Sequence, residues 1–352
     1  MKRTAQKFAA LALALTLALG LLSGCGPDAP SGSSPAQSPD TGSGALKVAL
    51  VLTQSLGDSG PADDMNNAMK RAVEDFGIES TTYEALQPEQ YEESLRNFAQ
   101  NGCDMVVASF PGMTEAVRKV AADFPDVKFV HIYSAEDYGL DNVVSVDFAC
   151  WEANYVCGVA AALVSESGQI GHIIGGEDNT IRANYHALVE GAQSVNSAAA
   201  VEQINAGTFD DPAKGKEIAL SLYGKGVDVI IGDAGKVTLG IIEAAKETGN
   251  YIIGDASDHS SLAPGNVLMD TALGFGAAVY DQISKLVDGT FSAGVGAANY
   301  ANGGIATTKN ISLAENCTDE ALKGRLDEIW DKVAEIEGQI ADGTLVVEKV
   351  TQ

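Results

Sequence analysis

The amino-acid sequence predicts an α/β protein with two doubly wound parallel-sheet lobes around a ligand cleft. From Lys47 onward, short runs of β-branched and other apolar residues alternate with helix-length amphipathic segments. This alternation occurs twice, over residues 47–148 and again over 169–270. Most of the strand candidates are continuously apolar, which is typical of parallel sheets covered on both faces. Ligands bind such sheets outside the carboxyl ends of the strands, so two facing lobes predict a cleft.

The first series supplies five strands and three helices. The predicted strands are 47–53, 78–85, 104–109, 128–133 and 143–148, and the predicted helices are 62–76, 88–101 and 113–122. Asp63 and Asp64 stand at the start of the first helix, where carboxylates act as caps.

The second series repeats the pattern. Its predicted strands are 169–175, 201–206, 227–232, 251–254 and 266–270, and its predicted helices are 180–195, 212–224 and 236–247. Asp210 and Asp211 precede Pro212, which predicts a capped helix start with proline in the first turn. A last helix begins after Thr318, with a buried stripe that runs from Leu322 to Ile336 and includes Trp330.

The N-terminal residues 1–24 are typical of a lipoprotein signal peptide. Three basic residues precede an uncharged stretch over 8–22, which as a helix would be about 22 Å long and too short for a ~30 Å hydrocarbon core. The stretch ends in Leu22-Ser23-Gly24-Cys25, which resembles the bacterial lipobox, so we expect lipidation at Cys25. An ordinary signal peptide that contains a cysteine is the alternative. Residues 25–44, rich in Gly, Pro and Ser, predict a flexible tether.

Composition excludes several classes of protein. The chain has 22 Lys and Arg against 48 Asp and Glu, a net charge of −26. This excess of acids argues against nucleic-acid binding and against electrostatic binding to anionic lipids through a basic cluster. Five cysteines in 352 residues exclude a disulfide scaffold. Cys150 and Cys157 are too far apart on one helix to pair, so buried free thiols are expected.

No catalytic residues, metal ligands or cofactor site are predicted. The stretch from Gly232 to Thr238 lacks the spacing of a P-loop, and the four histidines show no zinc-type spacing. Gly175 and Gly176 form a glycine-rich strand exit, which is either a plain βα turn or a turn that presents backbone N–H groups to a ligand. We expect the chain to form a first lobe from residues 45–165 and 271–295, and a second lobe from residues 166–270 and 296–352.

The segment that begins GTFDDPAKGKEIALSLYGKGVDVIIGDAGK at Gly207 is similar to the basic membrane protein family of substrate-binding lipoproteins. That family includes the bacterial purine nucleoside receptors, and its corresponding motif resembles G-S-F-x-D-P-A-K-G-K-E. The resemblance extends over 47–345. It implies a type I periplasmic-binding-protein fold, a ligand clamped between the lobes, and partners in an ABC permease and its ATPase.

The resemblance also implies site residues. Phe209 matches the motif aromatic on which the family stacks nucleoside bases, although a buried loop anchor is its structural alternative. The family's D-x-S-F-N-Q loop corresponds to residues 62–67, where the aromatic is replaced by Met65 while Asn66 and Asn67 retain amides. The family's G-V-D-S-D motif becomes Gly254-Asp255-Ala256-Ser257-Asp258, so its first acid is either displaced or replaced by Ala256, and Leu273 stands where the family has Lys. The pocket is therefore expected to be altered.

Other ligand-binding candidates come from their positions at strand ends and nearby helix starts: Phe110, Trp151, Tyr185, Asp233 and Lys236. A purely structural role is the alternative for each of them.

The expected function is that of a lipid-anchored solute-binding protein of an ABC importer, on the extracytoplasmic face of the cell membrane, for a nucleoside or related heterocycle. A sensor lipoprotein of the same fold that signals to a membrane partner is one alternative. An extracellular enzyme acting on nucleosides is another, and it would need an acid–base pair or a metal in the cleft.

Overall fold

The computed structural model describes residues 44–58 and 60–352. The signal peptide, Cys25 and the tether up to residue 43 lie outside the described residues. The first series forms strands β1 (Lys47–Leu52), β2 (Glu79–Glu84), β3 (Met105–Ser109), β4 (Lys128–Ile132) and β5 (Val143–Phe148). Its helices are α1 (Pro61–Phe76), α2 (Tyr91–Gln100) and α3 (Thr114–Asp123), and α4 (Cys150–Val164) follows.

The second series forms strands β6 (Gln169–Ile174), β7 (Ala200–Asn205), β8 (Val229–Asp233), β9 (Tyr251–Gly254) and β10 (Val267–Leu273). Its helices are α5 (Asn179–Val195), α6 (Pro212–Gly224) and α7 (Lys236–Thr248). The remaining elements are α8 (Phe275–Val287), β11 (Gly294–Ala298), β12 (Ile305–Lys309), α9 (Leu313–Asn316), α10 (Glu320–Lys323) and α11 (Leu326–Ala341).

The strands form two six-stranded sheets. The first has the order β11-β5-β4-β3-β1-β2 with every pair parallel. The second has the order β12-β10-β9-β8-β6-β7, and only β12 runs antiparallel, against β10. The prediction of an α/β fold with two parallel sheets is therefore confirmed. The edge strands β11 and β12 were not predicted, because their glycine- and threonine-rich sequences carry no apolar run.

Both sheets are buried because helices cover both of their faces. All five residues of β3 are buried, as are five of the six residues of β6. Helices α1 and α8 pack together against the first sheet, and α6 packs on α7 against the second. We call the first sheet with α1–α3 and α8 the first lobe, and the second sheet with α4–α7 and α9–α11 the second lobe.

Helix α4 packs in a different lobe from the one that the sequence analysis assigned. Residues 150–164 were placed in the first lobe, but α4 packs along α5 and against α11 in the second. Glycines at the crossing explain this packing. A Cβ on Gly158 would lie 2.1 Å from the Leu188 carbonyl oxygen, and one on Gly191 would lie 2.0 Å from that of Tyr155. The two helix backbones therefore touch, which side chains at these positions would prevent.

The last predicted helix is interrupted. Asp319, not Thr318, caps α10 by accepting from the backbone N–H groups of Ala321 and Leu322. The chain then leaves the helix at Gly324 and resumes as α11. Trp330 packs against the second lobe's core but is only partly buried.

The chain passes between the lobes three times: between β5 and α4, between β10 and α8, and between β11 and β12. Three segments therefore connect the two lobes.

Candidate functional site

A cavity of about 500 Å³ lies between the carboxyl ends of the strands of the two sheets. From the first lobe it is lined by residues that follow β1, β3 and β4 and by the first residues of α1, α2 and α8. From the second lobe it is lined by the last residues of β8 and β10 and by residues that follow β6, β7, β8 and β9. This is the position at which open parallel sheets bind ligands, and the volume suits a molecule of nucleoside size.

An aromatic cluster forms the first-lobe wall. Phe110 and Tyr133 meet edge to face with ring centroids 5.7 Å apart, and Phe275 packs 5.9 Å from Phe110. Phe148 lies behind them, 4.6 Å from Phe275 and fully buried. This packing holds the rings of Phe110 and Tyr133 in place, so that they present a fixed apolar surface to the cavity.

Backbone strain is concentrated at this cavity. Phe110, Tyr133 and Ala256 are the non-glycine residues with positive φ in the described part of the chain, at 63°, 64° and 61°. All three line the cavity. Such conformations cost free energy and persist where the surrounding structure imposes them, which is typical of binding sites.

The strained backbone at Phe110 is held by His131. His131 is fully buried, and its Nε2 lies 2.8 Å from the Phe110 carbonyl oxygen while its Nδ1 lies 2.7 Å from the Tyr138 hydroxyl. A carbonyl only accepts, so Nε2 carries the proton and Nδ1 accepts from the hydroxyl. Burial lowers the pKa of His131 to about 4. The ring is therefore neutral at physiological pH, and its hydrogen bond fixes the position of the Phe110 carbonyl.

Phe209 provides the second-lobe aromatic. Its ring lies on the backbone of the glycine-rich exit from β6. A Cβ on Gly175 would lie 2.3 Å from Phe209 Cδ1, and one on Gly176 would lie 3.2 Å from Phe209 Cε2. The two glycines therefore leave the space that the ring occupies, and the Phe209 carbonyl accepts from the N–H of Lys236 at 2.8 Å.

Carboxylates surround the inner end of the cavity. Asp233 ends β8, Asp255 follows β9, and Asp178 caps α5 by accepting from the Ile181 N–H at 2.8 Å. Burial, followed by repulsion from Asp233, raises the pKa of Asp255 to about 7. Burial also raises the pKa of Asp178 from its ordinary value, and Asp233 adds to that effect. The charge of Asp233 therefore acts on both Asp178 and Asp255.

A polar bridge connects the lobes at the mouth of the cavity. Ser55, after β1, donates from Oγ to Asp210 Oδ1 at 2.6 Å and accepts from Lys236 Nζ at 2.6 Å. Lys236 Nζ also lies 3.8 Å from Asp210 Oδ1. The structure is thus a conformation in which the two lobes are in direct contact.

Four of the ten predicted site residues line the cavity: Phe110, Phe209, Asp233 and Asp255. Lys236 is at the mouth, in the bridge. The two positions that depart from the family motif, Ala256 and Leu273, also line the cavity.

The other five predicted residues lie elsewhere. Asn67 and Asp258 line a separate open groove between α1 and the loop after β9. Asn66 accepts from the Thr82 hydroxyl at 2.8 Å. The two aromatics, Trp151 and Tyr185, do not line the cavity.

Trp151 donates from Nε1 to the Val347 carbonyl at 3.1 Å, and Lys349 Nζ lies 4.6 Å from its ring centroid. The C-terminal segment therefore draws this side chain away from the cleft. Tyr185 stacks on His172 with an interplanar angle of 4°. Trp151 follows the end of β5 and Tyr185 lies within α5, and partners outside their own helices determine the orientation of both side chains.

Several lining residues were not predicted: Gln54, Tyr91, Tyr133, Asp178, Asp210 and Phe275. Tyr133 and Asp178 could have been found, because Tyr133 is the last residue of the predicted strand 128–133 and Asp178 follows the predicted strand 169–175 by three residues. Tyr91 comes from the start of α2, and only the fold brings it to the cavity.

The four cysteines of the described residues are free, as expected, and three of them are buried. Within residues 44–58 and 60–352, no group of three His, Cys, Asp or Glu side chains has the arrangement to hold a metal ion. The same residues contain no helix of sufficient length and apolar character to span a bilayer.

Comparison with known proteins shows which family the chain resembles. A family model described as "ABC transporter substrate-binding protein PnrA-like" matches residues 45–336. The "ABC transporter nucleoside-binding protein BmpA" of Lactococcus lactis subsp. cremoris is 29% identical, with 99% of each chain covered. "Basic membrane protein B" of Borrelia garinii subsp. bavariensis is 30% identical over 68% of this chain and 73% of its own.

A solved structure supports the fold. The crystal structure of ABC transporter system solute-binding proteins from Aeropyrum pernix K1 superposes with a TM-score of 0.78 at 22% identity, covering 87% of this chain and 94% of that one. The likeness establishes the type I periplasmic-binding-protein architecture that the sequence predicted.

Proposed function

The chain belongs to the PnrA-like family of ABC transporter substrate-binding proteins, and on that basis we propose that it binds a nucleoside or related heterocycle between its lobes for an ABC importer. The observation that carries this proposal is the cavity between the lobes. Aromatic side chains face it from both sides, Phe110 and Tyr133 from the first lobe and Phe209 from the second. Planar rings bind between such walls through stacking and apolar burial.

The mechanism follows from the two-lobed architecture. Ligand contacts both lobes and therefore stabilises the closed conformation over the open one. The bridge of Ser55, Asp210 and Lys236 makes lobe-to-lobe contacts that favour the same conformation. The closed form then docks on a membrane permease, and a separate ATPase subunit supplies the energy of transport.

Binding tests the proposal directly. Full-length chain in detergent is titrated calorimetrically with adenosine, inosine, guanosine, uridine and their free bases, and its thermal unfolding is followed with each compound. We expect one site per chain, and a stabilisation of about 2.7 kcal/mol at 100 times the Kd. Binding of none of these compounds would contradict the proposal.

A variant pair connects binding to the cavity. Phe209→Ala removes the second-lobe aromatic, and we expect affinity to fall by about 1–3 kcal/mol, the contribution of one stacked base. Tyr83→Ala is the matched control, because Tyr83 is 40% exposed and lies outside the cavity. An equal loss in both variants would argue against stacking on Phe209.

We propose further that Cys25 carries a lipid that holds the protein at the outer face of the cell membrane. The proposal rests on the lipobox-like Leu22-Ser23-Gly24-Cys25, and two acyl chains suffice for stable anchoring. Cells expressing the chain are labelled with a radioactive fatty acid. Label should be retained in Cys103→Ser and lost in Cys25→Ser, and label retained in both would refute the anchor.

A further inference from the structure

The cavity between the lobes carries more negative charge than its surroundings compensate. Of the described residues that line it, five are acids and none is Lys, Arg or His: Glu177, Asp178, Asp210, Asp233 and Asp255. Two of these acids have a cationic partner. Glu177 Oε2 lies 3.7 Å from Arg182 Nη2, and Asp210 Oδ1 lies 3.8 Å from Lys236 Nζ. The remaining three, Asp178, Asp233 and Asp255, lie at the inner end of the cavity.

The three inner carboxylates are hydrogen-bonded by neutral donors. Asp178 accepts from backbone N–H at the start of α5. Asp233 Oδ2 accepts from Asn184 Nδ2 at 2.8 Å, and Asp255 Oδ1 accepts from the Thr238 hydroxyl at 3.0 Å. Neutral donors orient and solvate a carboxylate, but they leave its net charge in place.

Among the described residues, no Lys, Arg or His side chain is hydrogen-bonded to these three carboxylates, although His172 Nε2 has no partner of its own. His259 is bonded through Nδ1 to the buried Asp270 at 2.7 Å, so that carboxylate balances its charge. His172 Nε2 lies 3.8 Å from Asp233 Oδ2, beyond hydrogen-bond distance, and its Nδ1 accepts from the Gln203 amide at 3.1 Å. The inner end of the cavity therefore keeps a negative potential.

Buried amide oxygens give a second, independent indication of a missing donor. Asn184 is 1% exposed and Asn154 is 5% exposed, and the Oδ1 atom of each has no hydrogen-bond partner. Their orientation is determined by chemistry. Asn184 Nδ2 must face the Asp233 carboxylate and Asn154 Nδ2 must face the Cys150 carbonyl, since both of those groups only accept.

The two asparagines line a pocket of about 20 Å³ that shares Tyr133, Asp233, Asp255 and Leu273 with the main cavity. Such a volume holds one small polar group. The Asp233 carboxylate, the Cys150 carbonyl and the two asparagine Oδ1 atoms around this pocket accept hydrogen bonds, so the pocket favours a group that donates them. The raised pKa values of Asp178 and Asp255, due to burial and then to repulsion from Asp233, agree with a site that lacks a cation.

We propose that the inner end of this cleft binds a positively charged nitrogen group of the ligand, a heteroaromatic cation or protonated amine, between Asp178, Asp233 and Asp255. This inference rests on the proposed function and specifies the chemical class of its ligand. The aromatic faces of Phe110 and Phe209 suit the same ligand, because ring faces attract cations as well as neutral heterocycles. Leu273 is consistent with it, since an apolar side chain at this position adds no competing cation.

The test compares two isomers that differ in charge. At pH 7.5, 1-methyladenosine is a cation and N6-methyladenosine is neutral, while the ribose, ring and added methyl group are common to both. Adenosine 5′-monophosphate supplies the anionic member of the series. Calorimetry with full-length chain should give an affinity about tenfold or more higher for the cation, the ratio that one charge-assisted hydrogen bond supports. The anion should bind weakest.

A variant assigns this preference to the carboxylates. Asp233→Asn keeps an acceptor for Asn184 and removes one charge, so the cation-to-neutral affinity ratio should fall towards one. Glu315→Gln is the matched control, because Glu315 is an exposed acid on α9, and this variant should keep the wild-type ratio.

The failure of this inference is distinguishable from failure of the proposed function. If N6-methyladenosine binds as tightly as 1-methyladenosine, the charge inference is overturned and the nucleoside proposal stands. If neither binds, the pair N1-methylnicotinamide and nicotinamide, cation and neutral rings without ribose, is titrated. Tighter binding of N1-methylnicotinamide than of nicotinamide would support the charge inference without a nucleoside ligand. If neither of these two compounds binds, both proposals are overturned.

Discussion

A methyl group added at Gly175 should weaken ligand binding by displacing Phe209. Gly175 is not among the residues with positive φ, so alanine meets no backbone penalty there. Its Cβ would lie 2.3 Å from Phe209 Cδ1, whereas ordinary contact begins at 3.4 Å. The ring must therefore retreat by 3.4 − 2.3 = 1.1 Å, and the open direction is into the cavity.

The magnitude follows from the displaced contacts. Overpacking costs about 1–3 kcal/mol in a closed core, and this site should lie at the low end because the ring can move. Stacking on one aromatic contributes about 1–3 kcal/mol. We therefore expect Gly175→Ala to weaken binding of the best nucleoside by about tenfold, and to lower unfolding free energy by about 1 kcal/mol.

Calorimetric titration and urea unfolding measure the two effects. Gly176→Ala is the matched control, because its Cβ would lie 3.2 Å from the ring and needs a shift of only a few tenths of an ångström. In the Phe209→Ala background the Gly175→Ala substitution should cost nothing more, since the clashing ring is gone. Wild-type affinity in Gly175→Ala, or additive losses in the double variant, would refute this reasoning.

Three further predictions concern charge, packing and closure. The folded pKa of Asp255, about 7, exceeds its unfolded value of about 3.9, so its ionisation removes stability as pH rises between them. Asp255→Asn should therefore reduce the loss of stability between pH 5 and 8, by up to about 3 kcal/mol in urea unfolding. Gly158→Ala, whose Cβ would lie 2.1 Å from the Leu188 carbonyl oxygen, should destabilise by about 3 kcal/mol in the same assay. Lys236→Met removes the donor to Ser55 and should enlarge the unliganded radius of gyration in small-angle scattering.

Each of these variants has a matched control. Glu315→Gln should leave the pH dependence of stability unchanged, because it neutralises an exposed acid. Gly338→Ala should stabilise α11 by about 0.5–1 kcal/mol, since a Cβ there meets nothing within 4 Å. Lys332→Met alters a surface pair with Glu335 and should leave the scattering curve unchanged. A pH profile equal to wild type in Asp255→Asn, tolerance of Gly158→Ala, or an unchanged curve for Lys236→Met would contradict the corresponding argument.

Local signals predicted most of the fold because they depend on neighbours in sequence. The strand β3 was predicted from the apolar run over 104–109, and α6 from Asp211 and Pro212, and Asp211 does accept from the Lys214 N–H. The edge strand β11 was missed because its pairing with β5 comes from the fold, not from an apolar pattern.

The site was predicted in part for the same reason. Parallel strands end at one edge of the sheet, so Phe110, Asp233 and Asp255 could be placed near a cleft from their positions alone. Trp151 also follows a strand, but the Val347 carbonyl binds its indole N–H from nearly 200 residues away. A strand end determines where a residue lies, and the packing partner determines where its side chain points.

The sequence by itself determined the α/β class, the two βα series, the family motif around Phe209 and the acidity of the chain. These follow from local periodicity, capping, turn residues and composition. The tertiary structure alone decided that Asp178, Asp233 and Asp255 line one cavity and that Phe110 and Phe209 line it from opposite lobes. It also decided that α4 packs against α5 in the second lobe. Each of these depends on contacts between segments distant in sequence, whose free energy is realised only when the whole core is packed.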